Sequence, residues 1–302
     1  MQIIFLGTSG SVPTPKRNVP AIAVKMGKEV ILFDCGEGTQ RQFMDSPVSF
    51  MQVSKIVLSH LHGDHFLGFN GLAQTMSFNG RTEKLEVYGP AGTADLVGRF
   101  LSLGYFTPSF TIAVNELTDG NLVDFGAYSI RCRSSEHTVP SLAYALEEKP
   151  RRGKFDRETA EKLGIPPGPI YTRLQNGETV TCGGKKFTPD MVVGPPRRGR
   201  KIVYSGDTKP CDAVAELARD CDVLMHDATI ESPLEEKTNQ YGHSSARQAA
   251  EIAKSANARC LILVHISPRY DEPAGLLEEA KGIFQNTIIA EDLMVYDVKY
   301  AD

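Results

Sequence analysis

The sequence predicts an α/β protein made of layered sheets flanked by helices. Three observations carry that expectation. Strand-like and helix-like patterns alternate along the 302 residues. Residues of metal-ligand type recur just beyond short apolar strands. The alternation breaks over 147–200, where the chain turns basic and rich in glycine and proline, and then resumes. A composition of 41% hydrophobic and 23% charged residues is ordinary globular material, enough for one large domain or two modest ones.

The elements follow in order. Ile3–Leu6 is an apolar run closed by Gly7, and Ala21–Met26 and Glu29–Asp34 flank Gly27-Lys28, a two-residue hairpin turn with glycine first. Lys55–Ser59 is a short buried strand, and Phe66–Ser77 reads as helix. Leu85–Tyr88 is a strand, and Pro90 opens a helix to about Leu103. Phe110–Leu117, Leu122–Phe125, Tyr128–Arg133 and Ser141–Leu146 read as strands. Within 147–200 one short helix is expected, with Asp156 as N-cap, running to Leu163 and stopped by Gly164 and Pro166. Strands at Lys201–Tyr204, Val223–Met225, Cys260–Val264 and Leu293–Val298 then alternate with helices at Cys211–Arg219, Ser245–Ser255 and Pro273–Phe284. Ser245 and Gln248 have the spacing of a capping box.

Several classes are excluded. No stretch approaches the ~18 apolar residues of a membrane span. The N-terminus lacks the basic start and cleavage site of a signal peptide and reads as a buried first strand. The six cysteines, Cys35, Cys132, Cys182, Cys211, Cys221 and Cys260, form no C-x-x-C pair, which points to reduced thiols and a cytoplasmic protein. Nothing calls for a nucleotide cofactor. The net charge of −4 conceals an asymmetry: 147–200 holds 12 Lys and Arg against 7 Asp and Glu, while the remainder holds 21 against 30.

The sharpest feature is Ser59-His60-Leu61-His62-Gly63-Asp64-His65, which places three of the seven histidines and a carboxylate in six residues directly after a buried strand. Zinc favours imidazole nitrogen and carboxylate oxygen, about four per ion. A strand-to-helix turn can aim His60 and His62 one way and Asp64 and His65 another, feeding two ions, and the remaining ligands must then come from elsewhere. His137, Asp207 in Ser205-Gly206-Asp207-Thr208, and His265 each follow a strand and supply the type required.

The set His60-x-His62-x-Asp64-His65 with His137, Asp207 and His265 resembles the metallo-β-lactamase superfamily, and within it the tRNase Z family of tRNA 3′-processing endonucleases in its short form, over essentially the whole chain. The resemblance implies a four-layer αββα sandwich over 1–302, with 147–200 inserted as a flexible arm. It implies two zinc ions per subunit: one held by His60, His62, His137 and Asp207, the other by Asp64, His65 and His265 with Asp207 bridging. Asp64 would also take the proton of the attacking water. Asp34, in the segment Phe33–Gln42 that resembles the family's stretch under the metal loop, is a candidate to orient those ligands.

Further motifs extend the likeness. Gly7–Asn18 resembles a family loop written P-x-K-x-R-N that contacts the RNA 3′ end: Pro13, Arg17 and Asn18 fit, while the lysine, Lys16, stands one place late. His226-Asp227-Ala228-Thr229 resembles the H-E-A-T motif, with Asp227 one methylene shorter than glutamate, and His243-Ser244-Ser245 resembles H-S-T. In the family the acid pairs with the second histidine, which serves the leaving group. His243 would protonate the departing alkoxide, kept charged by Asp227 against the positive end of the following helix. His226 reads as structural.

The basic segment supplies the substrate expectation. Lys149, Arg151, Arg152 and Lys154 precede Gly164-Ile165-Pro166-Pro167-Gly168-Pro169, which resembles the family's Gly/Pro motif in an arm that grips the tRNA elbow. Such cations bind phosphate without regard to base, which suits recognition of shape. The resemblance further implies precursor tRNA as substrate, cleavage after the discriminator nucleotide leaving a 3′-OH, and a homodimer in which each arm serves the partner. Two other readings stay open from the residues alone: another phosphodiesterase or thioester hydrolase on the same scaffold, and a non-catalytic RNA-binding protein.

Overall fold

A computed structural model describes residues 1–300. Six strands, β1 (Gln2–Gly7), β2 (Ala21–Met26), β3 (Glu29–Phe33), β4 (Val53–Val57), β5 (Leu85–Gly89) and β6 (Ile112–Glu116), are followed by β7 (Leu122–Asp124), β8 (Tyr128–Ser135) and β9 (Ser141–Glu148). After a two-stranded hairpin of β10 (Val180–Cys182) and β11 (Lys185–Phe187) come β12 (Lys201–Tyr204), β13 (Val223–Asp227), β14 (Leu261–Val264), β15 (Thr287–Ile289) and β16 (Val295–Asp297). They form two seven-stranded sheets, ordered β16-β1-β2-β3-β4-β5-β6 and β15-β14-β13-β12-β9-β8-β7.

Both sheets are mixed. β16 through β3 pair antiparallel and β3 through β6 parallel. In the second sheet, β12 through β15 run parallel and β7, β8, β9 and β12 antiparallel. The continuous apolar runs of the central strands follow from burial on both faces. In β1, Ile3 and Phe5 enter the core between the sheets, while Ile4 and Leu6 enter a second core beneath helices. In β14, Ile262 and Val264 face the first core, and Leu261 and Leu263 face a third under the helices of the other side.

Those helices make the outer layers. Phe43 of Thr39–Asp45, Leu72 and Met76 of Phe69–Phe78, and Val97 of Thr93–Leu101 pack on the first sheet. Val214 of Asp212–Leu217, Ala249 and Ala253 of Ala246–Ser255, and Leu276 of Ala274–Lys281 pack on the second. The layers are helix, sheet, sheet, helix, as expected. Ser245 closes its capping box with Gln248. All six cysteines are free thiols, and no helix among the described residues is long and apolar enough to cross a membrane.

The segment joining β9 to β12 differs from expectation. Beside the helix at Arg157–Lys162, capped by Asp156, it holds a second at Pro169–Gln175 and the β10–β11 hairpin. Ala160, Ile165, Leu174, Val180, Phe187 and Val192 form a small core of their own, separate from the other three. The second helix escapes a reading of periodicity because it is only seven residues long and its one buried residue is Leu174. Its legs are tied by paired bonds, Arg151 with Arg197 and Phe155 with Val193. Gly153 is required there, since a Cβ would sit 1.8 Å from the Gly194 carbonyl oxygen. The helix at Thr39–Asp45, that at Glu235–Gln240 and the short strand β15 were likewise not predicted.

Candidate metal centre and active site

The strands β1, β4, β8, β12, β13 and β14 all point their C-terminal ends to one rim of the sandwich, and the ligand-type residues stand on the loops that follow. Their roots are tied across the sheets. Tyr144 on β9, fully buried, donates its hydroxyl to the Leu58 carbonyl at 2.7 Å, and the Leu142 amide donates to Ser59 O at 2.9 Å. His265 at φ 60° and Asp34 at φ 55° occupy the left-handed region, uncommon for such residues and typical of over-determined sites.

All seven predicted ligand residues converge. The His60 Nε2 and His62 Nδ1 atoms lie 3.1 Å apart, and His137 Nε2 lies 3.1 Å from the same His62 Nδ1. Beside this trio, Asp207 Oδ2 stands 3.7 Å from His60 Nε2, 3.2 Å from His65 Nε2 and 3.2 Å from His265 Nε2. Asp64 Oδ2 completes the second cluster, 3.5 Å from His65 Nε2 and 3.7 Å from His265 Nε2. Asp207 thus stands between two clusters, His60-His62-His137 and Asp64-His65-His265.

Four of the five imidazoles engage their outer ring nitrogen, which fixes the inner one as an acceptor. His65 donates from Nδ1 to Asp34 at 2.8 Å, His137 from Nδ1 to Gly242 O at 2.8 Å, His60 from Nδ1 to Ser59 Oγ at 3.0 Å, and His265 from Nδ1 to Thr229 Oγ1 at 2.9 Å. Gly242 is needed here, because a Cβ would lie 2.6 Å from the His137 ring. Asp34, fully buried, also accepts from the Ser59 amide and hydroxyl and from Tyr204 OH at 2.7, 2.8 and 2.7 Å.

These residues fit a metal pair. His65 Nε2, His265 Nε2 and Asp207 Oδ1 are buried without a hydrogen-bond partner, and such orphans carry a cost unless something else satisfies them. Lone pairs of three imidazoles aimed at one point repel unless a cation lies between them. Tetrahedral ligands about 2.05 Å from an ion stand about 3.3 Å apart, close to the spacing seen. Without a cation the charges interlock instead. Burial disfavours the charged forms of both groups, yet the neighbouring carboxylates hold His65 well above the usual imidazole range and the surrounding histidines hold Asp207 well below the usual carboxylate range. His60 is pushed well down by burial and by His65.

Next to the centre, His243 donates from Nδ1 to Asp227 Oδ2 at 2.9 Å, so the shorter acid still reaches. Burial pulls His243 down, but Asp227 outweighs it and raises the imidazole to about 9. Asp227 Oδ1 accepts from Thr229 Oγ1 at 2.7 Å. A chain of hydrogen bonds therefore runs from His243 through Asp227 and Thr229 to His265. His226 is fully buried and donates from Nδ1 to the Asp227 carbonyl. Sequence reasoning missed Thr229, Ser59, Tyr204 and Gly242 as parts of the site. Only Thr229, inside the motif around Asp227, and Ser59, at the head of the histidine motif, carried a local signal.

Residues expected to touch RNA are placed unevenly. Arg17 turns inward, donating to Thr8 Oγ1 at 2.7 Å and to Ala290 O at 2.6 Å. Asn18 donates to Glu37 O at 2.8 Å. Both brace the loop, and Lys16 is its projecting cation, beside Glu272. The Ser11 amide of the same loop donates to Asp64 Oδ2 at 2.9 Å. On the arm, Lys149 pairs with Asp124 at 2.7 Å and Arg151 lies against Tyr300, so both belong to its root. Arg152 bonds Asn176, and Lys154 is exposed. Gly164, Pro166, Pro167, Gly168 and Pro169 form an exposed tip between the two short helices, with Gly164 and Gly168 at φ 73° and 135°.

A chain with this architecture and this centre is a metal-dependent hydrolase of the metallo-β-lactamase fold. Family profiles agree: one described as "Beta-lactamase superfamily domain" matches residues 190–266, and one described as "Anti-Pycsar protein Apyc1" matches residues 1–145. The chain is 48% identical to Ribonuclease Z of Methanosarcina acetivorans over 301 residues, covering 99% of both, and 49% identical to Ribonuclease Z of Archaeoglobus fulgidus over 99% of this chain and 98% of that one. It belongs to the ribonuclease Z family. The crystal structure of human tRNase Z, short form, superposes with a TM-score of 0.73 at 28% identity, covering 99% of this chain and 100% of that one.

Proposed function

We propose that this protein removes the 3′ trailer of precursor tRNA by hydrolysis after the discriminator nucleotide, leaving a 3′-OH, with two zinc ions held by the seven residues His60, His62, Asp64, His65, His137, Asp207 and His265. The observation that carries the reading is the convergence of those seven side chains beside the Asp227–His243 pair in a chain of this family. Zinc bound there would acidify a water and offset phosphate charge. Asp64 takes the proton of the attacking water, positioned by the Ser11 amide and the two imidazoles beside it. His243 gives a proton from Nε2 to the leaving oxygen, while Asp227 holds Nδ1 and balances the charge. Asp34 keeps His65 in the tautomer that leaves Nε2 free.

We read the chain as one domain carrying the arm, and the arm as a contact for the tRNA body remote from the cut. It leaves from the C-terminal end of β9 and returns at the N-terminal end of β12, the opposite end of that sheet from the metal centre. A contact there binds substrate without touching the reacting phosphate. We further propose a cytoplasmic homodimer. Exposed Phe78, Leu103 and Tyr105 support it. Sedimentation at micromolar concentration tests this, and a monomer throughout would refute it.

The deciding experiment maps the cleavage position on a 3′-extended tRNA with metal content measured in parallel. One cut after the discriminator nucleotide, lost in Asp64→Ala with the fold retained, is the expected result. Cleavage elsewhere, or undiminished activity of that variant, would overturn the assignment.

A further inference from the structure

The arm's two legs carry cations where they join the body. Arg151 on the outgoing leg and Arg197 on the returning leg exchange backbone bonds, N to O, at 2.7 and 2.9 Å. Arg200 ends the returning leg just before β12 and forms a two-pronged pair with Glu148, the last residue of β9, at 2.6 and 2.8 Å. Tyr300, which follows β16 of the other sheet, reaches this junction. Its ring centroid lies 3.4 Å from the Arg151 guanidinium and 4.0 Å from that of Arg200, and its hydroxyl accepts from Arg200 at 3.1 Å. Arg200 also donates to Val298 O at 3.0 Å. The faces of an aromatic ring attract cations, and a guanidinium stacks on them well. One ring thus contacts both legs.

We infer that Tyr300 is a positioning residue that latches the arm, fixing the angle at which it leaves the body by stacking against Arg151 and Arg200 together. The small core of the arm is separate from the three main cores, so its own packing does not set that angle. The contacts at the root do. The consequence for substrate rests on the proposed role of the arm in holding tRNA, and the latch itself does not. With the ring in place the arm is presented preorganised, and less ordering accompanies binding.

The test compares the full chain with Tyr300→Ala and Tyr300→Phe by amide hydrogen exchange. In Tyr300→Ala the stalk amides of Arg151, Asp156, Gly194 and Arg197 should exchange roughly 5–30-fold faster, the change expected when a contact of ordinary size is lost. Tyr300→Phe keeps the ring faces and should stay near the parent. Metal content and turnover of bis(p-nitrophenyl) phosphate should be unchanged in both, while KM for 3′-extended tRNA rises several-fold in Tyr300→Ala with kcat retained. Unchanged stalk exchange in Tyr300→Ala would overturn the latch, as would equal acceleration in Tyr300→Phe. Faster exchange with an unchanged KM for tRNA would support the latch and count instead against the arm as a tRNA contact.

Discussion

Asp34 touches no reacting group, yet it accepts from Ser59 twice, from Tyr204 and from His65, all between 2.7 and 2.8 Å. An asparagine of the same shape would turn one of the two oxygens into a donor, facing the Ser59 amide at the Oδ1 position or the Ser59 hydroxyl, His65 and Tyr204 at the Oδ2 position. Asp34→Asn should weaken metal binding 10–100-fold, measured by competition with a chromogenic chelator. Parental affinity in that variant would remove Asp34 from the site. His243 can be tested by leaving-group chemistry. His243→Ala should lower turnover of tRNA 10²–10⁴-fold, yet have little effect on a phosphodiester with a nitrophenolate leaving group, which departs without a proton. Equal losses on both substrates would mean that His243 does something other than protonate.

Among the elements, the root of the arm rests on the Glu148–Arg200 pair, whose side chains are only 12% and 13% exposed. Burial alone would raise the Glu148 carboxyl, but the Arg200 hydrogen bonds outweigh it and hold the carboxyl below its ordinary range. A depressed carboxylate contributes stability that is complete above its unfolded pKa, ~4.3, and is lost as pH falls through the folded value. Glu148→Gln should therefore cost about 1–3 kcal/mol at pH 7 and progressively less toward pH 3. Thermal melts at several pH values measure this. A deficit independent of pH would show that the pair contributes by shape and not by charge. The metal loop contrasts with the arm. Its four-residue helix, Gly63–Phe66, has no side-chain cap, and His65 O accepts from the Cys35 amide at 2.7 Å, so the neighbouring loop holds it.

For the whole molecule, the centre joins loops of the two sheets. His60, His62, Asp64 and His65 belong to the first sheet's loops, and His137, Asp207 and His265 to the second's. Ions bound between them would cross-link the halves. Chelation should abolish cleavage and lower the melting temperature, since stabilisation by a bound ligand grows with its concentration over Kd, about 4.1 kcal/mol at 1,000 Kd. Adding zinc back should restore both. An unchanged melt after verified metal loss would place the ions outside the sandwich.

Residue type and order were sufficient for most of the alternating strands and helices, because a period of two or 3.6 is a local property that burial imposes on elements long enough to show it. They were sufficient also for the capping box at Ser245 and for the ligand types after β4, β8, β12 and β14. The bracing of Arg17, the donors gathered on Asp34, the chain from His243 to His265 and the seat of Tyr300 were decided by the tertiary structure. Each joins residues far apart in sequence: Arg17 meets Ala290, Asp34 meets Tyr204, and Arg151 meets Tyr300. A side chain announces its chemistry in the sequence, but the direction in which it spends its hydrogen bonds depends on what the packed sheets bring within about 3 Å of it.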